Sequence, residues 1–378
     1  MQVLLVTNYR PDKQKSMLRF GSILLSKHVT ESNFEIEELY PQPFFNKISP
    51  KIKLKKWAAY LDKYLLFPKR MKNKLQSLSK PLDLVHIIDH SNSVYLPQLK
   101  RFPQVKKIIT CHDLIAVRTA NGEFRHAPKT SRSGKRLQRW IHKSLEHADY
   151  YACDSRQTKQ NLKLLVPGSE LNSAVLHLGT ETNVQTTEKQ RSSFAKLPFN
   201  PSKSNYLLHV GSAAWYKNRK AVCKTFQHAS EKLPNLDLKL ILVGPIPQDG
   251  ELDTGLSNWF QSHPNALTCL NNLSENSLGE LYKHAKALVF PSHIEGFGWP
   301  PLEAAVHGCP VITTRTGAIS DLLCKYPHYV DGDVQASIDQ AVLQALKSPN
   351  QKNVPISLPS HDDCRERYYD LYDRVIKN

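Results

Sequence analysis

Two glutamates, Glu295 and Glu303, stand eight positions apart around the loop Glu295-Gly296-Phe297-Gly298-Trp299, which runs into Pro300-Pro301. An apolar run, Ala287 to Pro291, precedes the loop, and a second, Val311 to Thr314, follows. This spacing predicts a strand, a tight loop, a helix opened by the two prolines with Glu303 in its first turn, and another strand. Gly296 and Gly298 allow positive φ and close approach of a ligand to the backbone. Proline fits a first helical turn, whose N–H groups lack intrahelical partners and attract anions such as phosphate. A carboxylate there would repel a phosphate, so Glu303 suits a neutral diol such as that of a ribose, and Glu295 suits the hydroxyls of a sugar ring. The pattern fits a ligand that is both polyhydroxylated and phosphorylated. The plainer reading is a strand–turn–helix whose carboxylate is favoured by the helix dipole.

Other residues extend this chemistry. Gly211-Ser212-Ala-Ala-Trp-Tyr216-Lys217-Asn218-Arg219 follows a strand and opens a helix. Negative charge grows on a departing phosphate and calls for a cation, for which Lys217 is the candidate and Arg219 a second source. His112, in Thr110-Cys111-His112-Asp113-Leu114, ends a predicted strand. A neutral imidazole there can donate one hydrogen bond to a hydroxyl while its other nitrogen is tied to the protein. His86, Asp89, His90 and Ser91 end another strand and are candidates for acceptor binding. Each short signal also has a structural reading: a surface lysine at a helix start, a histidine held in a core.

These residues need a scaffold of sufficient size. A chain of 378 residues with 40% hydrophobic content is globular and suits two domains. Seven scattered cysteines without a Cys-x-x-Cys pair argue for free thiols in a reducing cytosol, and the sixteen histidines form no metal-binding pattern. No apolar stretch is long enough to span a bilayer, and the start resembles a short strand, not a signal peptide.

Net charge is 51 − 34 = +17, a field that attracts nucleic acid, anionic lipid or phosphorylated ligands. From Lys47 to Lys80 there are eleven Lys/Arg and one acid, Asp62. Within that stretch Leu54, Trp57, Leu61 and Leu65 recur at helical spacing among lysines, with Tyr60, Tyr64 and Phe67 adding aromatic bulk. Two readings stand: a basic amphipathic helix resting on an anionic membrane surface, or an ordinary helix packed on the core with solvated lysines. No aromatic-basic motif for nucleic acid accompanies the charge.

Strands are predicted at Gln2–Thr7, Leu84–Ile88, Lys107–Cys111, Tyr150–Cys153 and Ala174–Leu178, with helices over Ser16–His28, Leu54–Leu78, Lys135–His147 and Arg156–Leu165. After a polar, proline-containing linker the alternation restarts. Strands follow at Tyr206–Val210, Leu238–Val243, Ala266–Leu270, Ala287–Phe290 and Val311–Thr313, with helices at Asn218–Lys232, Ser277–Ala285, Pro301–His307 and Gln335–Lys347. A last amphipathic helix covers Asp362 to Ile376. Short apolar strands separated by helices indicate an α/β fold of doubly wound parallel sheets. The expected domains are 1–182, a linker 183–204 and 205–360, leaving an interdomain cleft, with ligands at the carboxyl ends of the strands.

Glu295-x7-Glu303 with Gly-Phe-Gly, Pro-x-Leu-Glu-Ala and Gly-x-Pro-Val-Ile resembles the donor-site signature of retaining glycosyltransferases with two Rossmann-like domains, the GT-B fold, most closely those of family 4 (group 1). The resemblance implies transfer of a sugar, a hexose, from a nucleoside diphosphate sugar to the hydroxyl of a glycan or lipid-linked acceptor, with retention and without a metal or other cofactor. The diphosphate itself would help deprotonate the incoming hydroxyl. Glu295, with the backbone of Gly296, Phe297, Gly298 and Trp299, would hold the sugar; Glu303 the ribose; Gly211, Ser212, Lys217 and Arg219 the diphosphate; Asn271 would lie near the base; and His112 would orient the sugar. It also implies that the helix 361–378 packs back on the first domain. Ser212 stands where some members carry arginine and Tyr216 where others do, and the basic first loop (Arg10, Lys13, Lys15, Arg19) lacks the double glycine of many relatives. These departures leave room for a non-catalytic nucleotide-sugar- or partner-binding subunit of a glycan assembly complex. A nucleic-acid-binding protein and a GT-B phosphorylase or epimerase are more distant readings. The expected location is cytoplasmic, at the inner face of a membrane if the basic helix docks there.

Overall fold

The computed structural model describes residues 1–26, 34–48, 52–180, 197–248, 251–347 and 356–377, with the side chains of 48 and 52–54 left aside. The end of the helix predicted to reach His28, the linker as far as residue 196 and the Leu54 side chain lie outside this set. The chain divides into two compact units. Met1–Arg125, Lys129–Gly179 and Pro359–Asn378 form the first, and His126–Pro128 with Thr180–Leu358 the second.

Each unit is a parallel six-stranded sheet flanked by helices, a Rossmann-like half. The first contains β1 (Gln2–Val6), β2 (Glu35–Leu39), β3 (Leu84–Ile87), β4 (Lys106–Cys111), β5 (Tyr150–Cys153) and β6 (Ser173–Val175), in the order β2-β1-β3-β4-β5-β6. The second contains β7 (Asn205–Val210), β8 (Leu238–Val243), β9 (Leu267–Leu270), β10 (Ala287–Phe290), β11 (Val311–Thr313) and β12 (His328–Tyr329), in the order β12-β11-β10-β7-β8-β9. In such sheets the winding direction reverses once, between β1 and β3 in the first and between β7 and β10 in the second, and the loops diverging there open a crevice for ligands.

The predicted strands appear within a few residues of their expected limits because central strands of a parallel sheet are buried on both faces and read as unbroken apolar runs. Val85, Ile87, Ile109, Leu207, Leu240 and Val289 are wholly buried in the two cores. Strand β2 escaped notice. Its sequence, Glu-Ile-Glu-Glu-Leu, is poor in strand-favouring residues, but it lies on the edge, where charged side chains are tolerated. Its acids meet the basic stretch: Lys80 Nζ lies 2.9 Å from Glu35 and Lys74 Nζ 2.6 Å from Glu37.

The long helix predicted over Leu54–Leu78 is two α-helices, Ile52–Leu61 and Phe67–Gln76, joined by a π turn at Asp62–Leu66. Pro68 sits in the first turn of the second helix, directly after the π turn, where the Phe67 N–H reaches back to the Asp62 carbonyl. Asp62 is buried and accepts hydrogen bonds from the Tyr9 hydroxyl (2.7 Å) and the Phe45 N–H (2.8 Å), tying this helix pair to the loop after β1.

The last helix, His361–Lys377, lies in the first unit. Its Tyr372 hydroxyl and His86 Nδ1 share a hydrogen bond of 2.6 Å, His86 Nε2 and Thr110 Oγ1 one of 2.8 Å, and Thr110 and the Tyr368 hydroxyl one of 3.2 Å. Burial, with a smaller push from nearby His112, lowers the His86 pKa to about 3, so the ring is neutral. His86, read from sequence as an acceptor candidate, is therefore a core residue that fastens the C-terminal helix to β3. Tyr372→Phe should leave a buried ring nitrogen without its partner and lower the unfolding free energy by about 1–3 kcal/mol in a denaturant titration.

Candidate functional site

In the second unit the loops after β7 and β10 diverge at the sheet's reversal point. Glycine at 211 lets the first loop leave β7 closely: a Cβ there would lie 3.1 Å from His209 Nε2. A short 3₁₀ turn, Trp215–Lys217, then leads to Asn218, which adopts a left-handed conformation (φ 52°) before the helix Arg219–Lys232. Asn218 Nδ2 donates to the carbonyls of Pro291 (3.2 Å) and Gly332 (2.8 Å), and the His293 N–H donates to the Tyr216 carbonyl at 2.8 Å. These bonds lock the two loops together.

Across that junction Lys217 Nζ lies 2.7 Å from Glu295 Oε1, with both side chains largely buried. Two of the residues expected to handle donor chemistry are thus in direct contact. The Lys217 ammonium also sits 4.8 Å from the centre of the Phe290 ring, a cation–π contact. Beneath it, His209 Nδ1 is 2.9 Å from the Val289 carbonyl. Burial, opposed by that hydrogen bond and reinforced by the charges of Lys217 and Arg219, lowers the His209 pKa to about 4. A neutral ring is therefore packed under the cation.

The loop carrying Glu295 is held from behind by the turn after β11. The Glu295 N–H donates to Thr316 Oγ1 (2.9 Å), and the Ala318 N–H to the Phe297 carbonyl (3.2 Å). Gly317, at φ 58°, packs so tightly that a Cβ would fall 2.7 Å from the Gly296 carbonyl oxygen. Gly298 has φ 88° and caps the next helix, whereas Gly296 is not among the positive-φ glycines and contributes through its carbonyl.

That helix spans Trp299–Val306, two residues earlier than predicted, with Pro300 and Pro301 still in its first turn. Glu303 consequently sits in the second turn, not the first, which weakens the helix-dipole explanation for a carboxylate there. The half-buried Glu303 accepts a hydrogen bond from the Tyr282 hydroxyl at 3.1 Å. Trp299 packs edge-on against Phe297, with ring centres 5.7 Å apart.

The remaining expected residues are placed differently. The Arg219 guanidinium is buried, donates from Nη2 to the Pro245 carbonyl (2.7 Å) and lies 3.1 Å from Glu251 through Nε. Ser212 is exposed. Asn271 is exposed at the carboxyl end of the edge strand β9, two strands from β7. A cavity of about 880 Å³ opens at the opposite, amino ends of β8 and β9, near Trp259 and His263. Ligands of such sheets gather at the carboxyl ends, so the Lys217–Glu295 junction is the stronger candidate despite that volume.

In the first unit, His112 follows β4 and is buried. Its Nδ1 lies 2.7 Å from Asp154 Oδ2 and its Nε2 2.7 Å from the Ile88 carbonyl. The Ile88 carbonyl and an ionised Asp154 only accept, so with that carboxylate both nitrogens donate and the ring is an imidazolium. Burial alone would lower its pKa, but Asp154, aided by Asp89 and the Ile88 carbonyl, raises it to about 9. Burial raises the pKa of the Asp154 carboxyl, against the opposing pull of His112. The neutral ring with a nitrogen available for a hydroxyl, expected from sequence, is replaced by a charged ring with both nitrogens engaged. The partnership was detectable in principle: Cys111 and Cys153 pair in register on adjacent strands, and His112 and Asp154 follow them.

Two open parallel sheets, each reversing once and carrying polar loops at the reversal, define the GT-B class of architecture. Residues 189–357 match the family described as glycosyl transferases group 1, and the fold of the chain is of the GT-B type. The chain is 26% identical over 231 residues to the serotype-specific mannosyltransferase WbdA of Escherichia coli, covering 58% of this chain and 28% of that protein. It is 31% identical over 152 residues to the O-antigen chain mannosyltransferase RfbU of Salmonella typhimurium, covering 39% and 40%. It therefore spans well under half the length of these relatives. Among solved structures, sucrose-phosphate synthase from Thermosynechococcus elongatus aligns with a TM-score of 0.68 at 16% identity, covering 100% of this chain and 96% of that one. Anabaena HepE in complex with UDP and glucose aligns with a TM-score of 0.67 at 12% identity, covering 99% of each. At such identities the likeness concerns the fold.

Replacing one member of a buried ion pair strands the other charge. Lys217→Met and Glu295→Gln should each lower unfolding free energy by roughly 3–5 kcal/mol, and the double variant should recover much of the loss in a urea double-mutant cycle. Additive losses would show that the contact carries no coupling. His112, whose folded pKa of about 9 exceeds its ordinary 6.5, contributes stability that is complete below pH 6.5 and is lost as pH rises through 9. That contribution is on the order of 3 kcal/mol, and His112→Gln should flatten the corresponding slope of stability against pH.

Proposed function

We propose that this chain is a retaining glycosyltransferase that moves a sugar from a nucleoside diphosphate sugar to a hydroxyl of a glycan or lipid-linked saccharide, in cytoplasmic polysaccharide assembly. The observation that carries this reading is the Lys217–Glu295 contact at the reversal point of the second sheet. It puts a cation suited to a departing diphosphate beside a carboxylate suited to sugar hydroxyls. The group 1 match and the mannosyltransferase relatives support it over a non-catalytic subunit, and they make mannose the first sugar to test.

In this reading Glu295 and the backbone of Gly296 to Trp299 hold the sugar. Glu303, oriented by Tyr282, holds the ribose diol. As the glycosidic C–O bond breaks, negative charge on the diphosphate draws on Lys217 and on N–H groups at the start of the helix 219–232, with no metal ion required. The diphosphate takes the proton of the incoming hydroxyl on the same face of the sugar. The new bond therefore forms with the original anomeric configuration. The indirect placement of Arg219, engaged by Glu251 and Pro245, leaves Lys217 as the principal cation.

A thermal-shift series with individual nucleoside diphosphates tests the pocket. One base should stabilise the protein by about 2.7 kcal/mol at a hundredfold excess over its Kd. Glu303→Ala and Lys217→Ala, each compared with its own unliganded melting temperature, should remove most of that shift. Transfer from the matching nucleoside diphosphate mannose, with the product anomer read by NMR, then tests the reaction. An unchanged shift in both variants, or an inverted product, would sink this assignment.

A further inference from the structure

We infer that the first unit carries a membrane-docking face, built from the helices Ile52–Leu61 and Arg132–Leu145 and fitted to an anionic lipid surface. The apolar residues at helical spacing in the first helix and the turn after it are not packed inward. Trp57 is 66% exposed, and Leu61 and Leu65 are also exposed. An ordinary surface helix turns that stripe to the core. Here the buried side is supplied by Ala58, Ala59 and Asp62, leaving the larger residues outward.

The ridge is continuous and includes a second helix. Trp57 packs against Tyr60 (ring centres 5.9 Å apart), Tyr60 stacks on Tyr64 (5.6 Å), and Tyr64 meets Trp140 (5.5 Å), itself 44% exposed. Trp140 belongs to Arg132–Leu145, a helix that contains five Lys/Arg and no acid. Lys55, Lys56, Arg136, Arg139 and Lys143 are exposed along the two helices, whereas Asp62, the acid of the first stretch, is buried under Tyr9.

Indole and phenol rings flanked by long basic side chains suit the boundary between headgroups and acyl chains: the rings enter the apolar layer while the cations meet lipid phosphates. A second protein could cover the ridge, but the single-sign collar favours an anionic surface. The face also adjoins the loop after β1, through Tyr9–Asp62 and a 2.7 Å Lys63–Asp12 ion pair, at the carboxyl edge of the first sheet. A lipid-linked acceptor held in the same surface would be delivered to that edge. This delivery rests on the proposed transfer reaction; the docking does not.

Flotation of the full chain with vesicles, without nucleotide or acceptor, tests the docking. The chain should bind phosphatidylcholine vesicles containing phosphatidylglycerol and not pure phosphatidylcholine. Each basic residue near such a surface contributes a factor of about five, so Arg136→Ser/Arg139→Ser should weaken binding about 30-fold. Trp57→Ser alone, which removes a largely exposed ring packed on Tyr60, and Trp57→Ser/Trp140→Ser should also weaken it while leaving transfer to a soluble saccharide unchanged. Wild-type binding by the tryptophan variants, equal binding to both vesicle types, or self-association that the tryptophan variants abolish would overturn the proposal.

Discussion

One contact organises the second unit: the Lys217 ammonium against the Glu295 carboxylate, spanning the two loops that part at the sheet's reversal. Holding both charges there calls for a rigid frame, since a largely buried pair gains only if its geometry is maintained. The frame is visible in Asn218 bridging to the Pro291 and Gly332 carbonyls, in Thr316 accepting the Glu295 N–H, and in Gly317 packed against the Gly296 carbonyl. The glycines and the left-handed asparagine follow from the need to bring two backbones this close. A ligand that competes for Lys217 can draw on an interaction already prepared, because the loops need not be reorganised to present it.

The first unit meets a similar electrostatic problem differently. His112 is charged, deeply buried and compensated by Asp154 on the adjacent strand end and by the Ile88 carbonyl. His86, on the neighbouring strand β3, stays neutral because it is buried with hydroxyls for partners, with a smaller push from the charged His112. Two buried histidines in one unit thus differ in charge: burial leaves His86 neutral among hydroxyls, and Asp154 overcomes burial for His112.

Much of this was legible from residue order. The apolar runs that became central strands, the glycine-proline punctuation after β10 and the Lys-Asn turn after β7 are local signals, and local signals survive in a one-dimensional reading. What escaped was non-local. Strand β2 is recognisable only once its glutamates meet Lys74 and Lys80. The charge on His112 depends on an aspartate 42 positions away. Trp140 offers no hint, from spacing, that it continues the ridge beginning at Trp57. Glu303 moved from the first helical turn to the second because Gly298, not a proline, caps the helix.

The C-terminal helix has a consequence for how the chain is made. Tyr368 and Tyr372 complete the core around His86 and Thr110, yet they are synthesised after the whole of the second unit. While the nascent chain is on the ribosome, β3 and β4 carry an open polar seam in a half-finished core, and the second unit can reach its native packing first. The earlier-made half is therefore sealed only after the later-made one has been translated.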